Sequence, residues 1–439
     1  MRRLGVLAGV QASSIIRAVQ VLVLYVSTIM QASPLHPTLG NARIASLDVL
    51  RGVAVLGILL LNVRTFALPA AAYSSPVFGG GQTPLDLTVF SIVQILADMK
   101  FMAIFSLLFG AGLVLFTQRA ESSTGQSGSI WYRRMAWLLV IGLCHAWLLW
   151  WGDILVTYAL CGMLVYPLRK LSVRTQALMG FGLLVVGSLI WLGIGALVQL
   201  GGPDAVASMV ASPDSVAAEM AVWKDSWWGQ TPKRLGIAVA LETWIFAMWL
   251  LWRCGGLMLL GMAMFRSGWL QRSTSIRRPL FMVLIGLGVG LSVVAIGMAA
   301  NQADGWIGVD VMFANSLWNY WGSIGVAAGW IGLVLLMCGV DVFGPIRGVL
   351  AGVGRMALSN YLAQSVICGV IFYGWGFGWH GEVGYAAQLL VVAAIWAAQC
   401  IWSPLWLSRF QFGPMEWLWR SLTYWQLQPM RKRSLPSQA

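Results

Sequence analysis

Apolar residues run in ten long blocks along this chain, at approximately 48–67, 99–117, 133–150, 153–168, 176–200, 236–264, 279–300, 318–340, 352–373 and 385–407. Each approaches the ~20 residues that a helix needs to cross the hydrocarbon of a bilayer. The pattern predicts an all-α polytopic membrane bundle of about ten transmembrane helices, the third and fourth joined by a tight turn near Gly152. Residues 85–98 mix Leu85, Phe90, Val93 and Leu96 with Asp86, Gln94 and Asp98, which predicts an amphipathic helix at the surface before the second span. The segment 201–234, rich in Ala, Asp, Ser and Trp, is expected to hold a short interfacial helix. Beyond the last block, Pro414 suits a helix first turn and Glu416 and Arg420 stand four residues apart, which predicts an interfacial helix docked under the bundle.

Charge then orients the blocks. Arg119, Arg133, Arg134, Arg169, Lys170, Arg174, Arg266, Arg272, Arg277, Arg278, Arg347, Arg355 and Arg409 fall in alternate loops. The opposite loops carry Asp86, Asp204, Asp214, Asp304, Asp310 and Glu382, with only Lys224, Lys233 and Arg234 as bases. By the positive-inside rule both termini are cytoplasmic, which agrees with an even number of spans, and the expected home is a bacterial inner (plasma) membrane. Residues 43–425 form the transmembrane domain and 426–439 a basic cytoplasmic tail. Residues 1–42 are an extension: Arg17 interrupts its apolar stretch, and a span there would invert the orientation. It reads as an interfacial helix, or as the product of a start codon placed upstream of a true beginning near Met30.

Composition supports the membrane assignment. Of 439 residues 59% are hydrophobic and 10% charged, against roughly 25% charged in soluble domains. The net charge of +13 is spread over short loops rather than gathered in one patch, which argues against a nucleic-acid partner and leaves membrane lipids as the surroundings. The 25 Trp gather near block ends, as interfacial aromatic belts do. The six Cys lie in apolar blocks without CxxC or Cys/His spacing, so buried free thiols are expected and no metal. A homodimer is allowed for.

The few ionisable residues inside the blocks are the candidates for chemistry, because intramembrane charge is costly and tends to face a cavity. Asp48 and Arg51 are i,i+3 on the first span, and Asn62 lies three turns on along nearly the same face. Lys100 stands at the far end of span two, able to snorkel or to hold an anion. His145, the only His within a block, is separated from Asp153 by the turn near Gly152, so a carboxylate could orient an imidazole base. Glu242 and Arg253 share a face of span six. Asn360 and Gln364 share a face of span nine, behind Arg355. Each also has a plainer reading as a helix-packing or interfacial group.

The stretches Asp48–Asn62, Lys100–Gly112, Gly142–Gly162, Gly261–Leu270, Gly354–Gln364 and Gly413–Thr423 resemble, in order and spacing, the YeiB-like family of bacterial inner-membrane proteins, a domain of unknown function. That family is distantly similar to transmembrane acyltransferases such as heparan-glucosaminide N-acetyltransferase, through the Asp-x-x-Arg-Gly start of span one and a later Asn, here Asp48, Arg51, Gly52 and Asn62. The resemblance implies transfer of an acyl group from cytoplasmic acyl-CoA or acetyl-CoA to an outer-facing hydroxyl or amine on a small, glycan or lipid acceptor. The heparan enzyme carries its catalytic His in the loop after that Asn; residues 63–98 here hold none, so His145 serves, or the chemistry differs. On this reading Asp48, Arg51, Arg355, Asn360 and Arg420 hold the donor, His145 and Asp153 supply the base, and Asn62 and Lys100 stabilise the oxyanion. The alternative is a transporter or flippase for a small or lipid-linked solute, with the same charges lining its path.

The orientation is testable in cells. In a variant lacking the six native cysteines, an impermeant thiol reagent should label Ser226→Cys and spare Ser273→Cys in intact cells; the reverse pattern would invert the topology.

Overall fold

All ten apolar blocks are helical in the computed structural model, which describes residues 45–79, 83–125, 127–270 and 275–432. The expectations for residues 1–42 lie outside the described residues. The helices are α1 (Ala45–Ala67), α2 (Pro84–Leu96), α3 (Lys100–Thr124), α4 (Ser127–Leu148), α5 (Leu155–Val165), α6 (Val173–Leu200), α7 (Trp227–Ala240), α8 (Leu251–Arg266), α9 (Arg277–Ala303), α10 (Ser316–Gly339), α11 (Gly344–Arg355), α12 (Ala357–Phe372), α13 (Tyr385–Arg409) and α14 (Pro414–Tyr424). A π-helix, Leu241–Leu250, joins α7 to α8. Among the described residues there is no strand beyond one isolated bridge, Phe410 with Arg431.

Seven helical stretches are long and apolar enough to cross a membrane, and α12 is a shorter apolar helix. The remaining two blocks are α4, which carries Arg133 and Arg134 in its first half, and α5, whose 11 residues rise only about 17 Å. The segments expected at the interface are helical. Thr83 caps α2 by accepting the Asp86 N–H at 3.1 Å while donating its hydroxyl to Asp86 at 2.6 Å. Two short helices, Pro203–Met209 and Pro213–Trp223, and the start of α7 at Trp227 occupy the 201–234 segment. Of the cysteines all six are free and four are buried, but Cys144 is exposed on α4 and Cys400 half-buried on α13.

α1 is the axis of the bundle. Of its membrane-length window 67% is buried, against 22% for α6 and for α13. Its closest neighbour at the basic end is α11, and glycine sets their separation. A methyl group on Gly52 would collide with the Leu350 carbonyl, and one on Gly354 with the Asp48 carbonyl. The two backbones therefore touch, as small residues permit in membranes. This crossing brings Arg355 beside the Asp48–Arg51 turn.

The opposite end is locked by backbone capture. Gly381 N–H donates to the Ala67 carbonyl at 2.7 Å, and His380 Nδ1 lies 2.7 Å from the Phe66 carbonyl, which can only accept. His380 Nε2 is buried without a partner, so the ring is held neutral. Burial lowers its pKa, with the Phe66 carbonyl opposing. The unfolded imidazole binds its proton as pH falls through about 6.5 while the folded one does not, so stability is lost below that pH. Melting in detergent should therefore occur at lower temperature at pH 5.5 than at 7.5, and His380→Asn should flatten that difference.

Candidate functional site

Two cavities of about 390 Å³ each open at opposite ends of the same helices. The first lies at the basic end. Arg51 (α1), Arg119 (α3), Arg134 (α4), Arg355 (α11) and Arg420 (α14) line it, with Asp48 and Glu416 as its acids. Deeper in, the wall is apolar: Phe105, Leu108, Phe109, Phe116, Trp131 and Leu138. The second lies at the opposite end and is lined by Asn62, Thr65, Tyr73, Asp153, Thr157 and Glu242 among Trp and Leu side chains. Ile58, Ile154 and Tyr361 border both, so the partition between them is one side chain thick.

Both acids of the basic cavity are already engaged. Asp48 accepts from Arg51 at 2.9 Å. Glu416 turns to the first turn of α12, accepting from Leu358 N–H at 2.7 Å, Ser359 N–H at 3.2 Å and the Ser359 hydroxyl at 2.5 Å. The expected pairing of Glu416 with Arg420 gives way to this cap, because orphan N–H groups at a helix start draw a carboxylate more strongly than a helical neighbour does. Burial lowers the Arg420 guanidinium, and Arg51 adds to that against the pull of Tyr424 and Glu416. Arg134 lies 3.5 Å over the Trp419 ring, which supplies π density rather than an anion. The cluster is thus cationic in excess, suited to phosphate oxygens.

At the second cavity the sequence candidates divide. Asn62 borders it, and its amide meets no described partner. Asp153 borders it while holding His145: Oδ1 lies 2.7 Å from His145 Nδ1, and Oδ2 accepts the Val156 N–H at 2.8 Å. A carboxylate cannot donate, so Nδ1 carries the hydrogen, and Nε2 of the neutral ring accepts the Ser365 hydroxyl at 2.8 Å. His145 itself is 2% exposed and borders neither cavity. Its ring packs against Tyr361 and Trp150, with centroids 5.1 and 6.0 Å away.

Two candidates lie elsewhere. Lys100 is fully buried and donates to Asn319 Oδ1 at 2.6 Å and the Gln94 carbonyl at 2.9 Å, away from both cavities. Asp98 beside it accepts from Tyr73, Gln94 and Asn319. This network anchors the turn between α2 and α3, where Met99 is left-handed at φ 63°. Asn360 joins helices instead of a ligand: it donates to the Val353 carbonyl and Ser403 and accepts from Trp402. Gln364 does likewise with Val55 and Gln399. Glu242 and Arg253 do not meet; Glu242 accepts from Trp147 at 3.1 Å, and Arg253 donates to the Tyr320 carbonyl and Ser323.

Four lining or supporting residues escape a reading by motif: Arg119, Arg134, Tyr361 and Ser365. Arg119 and Arg134 stand out in sequence only as topological charges. Tyr361 and Ser365 are i,i+4 on α12, but nothing in the chain marks that face as the one meeting His145.

Comparison with known proteins places the chain in a family of unknown function. Residues 264–426 match the family described as a protein of unknown function, DUF418. The uncharacterized protein YeiB of Escherichia coli (strain K12) is 33% identical over 388 residues, which is 87% of this chain and 96% of that protein. The uncharacterized protein YxaH of Bacillus subtilis (strain 168) is 31% identical over 426 residues, 92% and 99% of the two chains.

The Glu416 cap predicts a stability effect. Glu416→Ala strands the Leu358 and Ser359 N–H groups and should cost about 1–2 kcal/mol, as loss of a helix cap does, read as a lower melting temperature than that of Glu416→Gln.

Proposed function

The chain belongs to the YeiB-like family of membrane proteins, and on that premise we propose that it is an acyltransferase of the bacterial inner membrane. It moves an acyl group from cytoplasmic acyl-CoA to a hydroxyl or amine facing outward. One observation carries the reading: a cationic cavity and an acid-lined cavity approach each other from opposite ends until only Ile58, Ile154 and Tyr361 separate them. A transfer across a bilayer needs both substrates to meet without opening a continuous pore.

The basic end faces the cytoplasm by the positive-inside rule. There Arg51, Arg134, Arg355 and Arg420 take the phosphates of CoA as planar forks. The apolar wall from Phe116 to Phe105 receives the thioester arm and acyl chain. The volume falls within the roughly 300–1,000 Å³ of ordinary ligand pockets. In the opposite cavity Asn62 is free to donate to a developing oxyanion, while Asp153 and Glu242 favour an amine or polyol acceptor, on a glycan or a lipid. His145, held by Asp153 in the tautomer with a basic Nε2, is the proton acceptor. Lys100 drops out of the oxyanion role, its ammonium being spent on Asn319 and Gln94.

A second reading, a transporter or flippase, draws on the π-helix Leu241–Leu250, since an interrupted helix bordering a cavity is common in such proteins. Chemistry separates the two. Purified protein in lipid nanodiscs should bind acetyl-CoA and release CoA slowly. Arg51→Ala and Arg420→Ala should each weaken binding about tenfold, ~1.4 kcal/mol, and Lys100→Ala should leave it within about twofold. His145→Gln should abolish release with binding retained. Absence of both binding and CoA release in the parent protein would put the transporter reading first.

A further inference from the structure

We infer that Ser365 is a covalent relay: it accepts the acyl group from CoA at the basic cavity and passes it to the acceptor at the other. The inference rests on the acyl-transfer reading and assigns the step at which the group crosses the partition.

The geometry starts with the hydroxyl itself. A serine within a helix ordinarily donates to the carbonyl one turn back. Ser106 does so to Met102 at 2.9 Å, Ser188 to Leu184 at 3.0 Å and Ser292 to Gly288 at 2.8 Å. Ser365 stands 3.5 Å from its own carbonyl, that of Tyr361, and 2.8 Å from His145 Nε2. With Nε2 unprotonated, the shorter contact draws its proton to the imidazole rather than to the Tyr361 carbonyl. The other ring nitrogen is held by Asp153 at 2.7 Å, and the Val156 N–H fixes that carboxylate in turn. Nucleophile, base and orienting acid are in hydrogen-bond sequence, which is the arrangement that activates a serine. Local sequence brings His145 and Asp153 together across the tight turn; Ser365 joins them only through the contact of α12 with His145 on α4.

Position supplies the second argument. Ser365 is 4% exposed, one helical turn beyond Tyr361. Tyr361 borders both cavities, packs on His145, and its buried hydroxyl sits beside the Ile154 backbone without a hydrogen bond of ordinary geometry. A side chain with no polar anchor is the one that can swing with least loss. Ser365 itself borders neither cavity, so the relay requires Tyr361 to move aside.

The chemistry balances without a further reagent. Ser365 Oγ bonds to the thioester carbonyl carbon as its proton passes to His145 Nε2. The C–S bond breaks, the proton goes to sulfur, and free CoA thiol leaves a seryl ester. The acceptor's nitrogen or oxygen then attacks the ester carbon while its proton passes to Nε2. The C–Oγ bond breaks and Nε2 returns the proton to Ser365.

The test uses the full chain in lipid nanodiscs with ¹³C-acetyl-CoA and no acceptor, followed by acid quench and peptide mass mapping. Acetyl should be found on the peptide containing Ser365 as an oxyester that resists neutral hydroxylamine. Ser365→Cys, which keeps the volume and fold, should convert it to a thioester labile to neutral hydroxylamine. Ser365→Ala should retain acetyl-CoA binding and lose both label and CoA release. Parental CoA release in Ser365→Ala would overturn the relay and leave direct transfer standing. Neither label nor CoA release from the parent protein in the absence of acceptor would overturn the relay alone, whereas failure of the parent protein to bind acetyl-CoA would overturn the acyl-transfer reading and the relay with it.

Discussion

Charge inside this bundle has to be settled by the protein itself, because the hydrocarbon around it offers no partner and no screening. That constraint explains where each intramembrane charge lies. Arg253 spends its guanidinium on the Tyr320 carbonyl and Ser323. Arg64 reaches Gln94 and the Phe90 carbonyl. Lys100 and Asp98 share Gln94 and Asn319. These groups hold α1, α2, α3, α8 and α10 together at one end. What stands out against them is the arginine cluster around Arg51 and Arg420, whose nearby acids are already engaged. An excess of cation at a cavity mouth is unfavourable in isolation and useful only toward an anion.

Close packing makes that cluster possible. Because Gly52 and Gly354 let α1 and α11 touch at the backbone, Asp48, Arg51 and Arg355 share one rim. α14 closes the rim from below. Trp419 donates its indole N–H to the Arg134 carbonyl at 2.8 Å, and Glu416 caps α12. A single amphipathic helix after the last span thus finishes the cavity, caps a helix and adds Arg420.

The partition between the cavities is the other consequence of α1 being central. Ile58 sits midway along α1, between Arg51 at one cavity and Asn62 at the other. Behind it the His145 network is buried, flanked by Trp150 and Tyr361. A low-dielectric setting strengthens each hydrogen bond in that chain and makes an unpaired member expensive.

The chain by itself determined its class, its helices and much of its polar inventory, because hydrophobic block length and loop charge are one-dimensional quantities. The Asp48–Arg51 pair and the His145–Asp153 contact were legible for the same reason: an i,i+3 spacing and a tight turn leave little freedom. Tertiary structure decided the rest. Lys100 and Asn360 have the composition of site residues, yet their hydrogen bonds are consumed by Asn319, Gln94, Val353 and Ser403, partners 219 and 43 positions away in the cases of Asn319 and Ser403. Ser365 looks like any small helical polar residue until α12 meets α4, 220 positions earlier. Such contacts depend on which helix faces lie inward. Around α12, which carries Asn360, Gln364 and Ser365 among apolar residues, that choice is made by close backbone packing and by the satisfaction of buried polar groups, and neither is written in a local pattern.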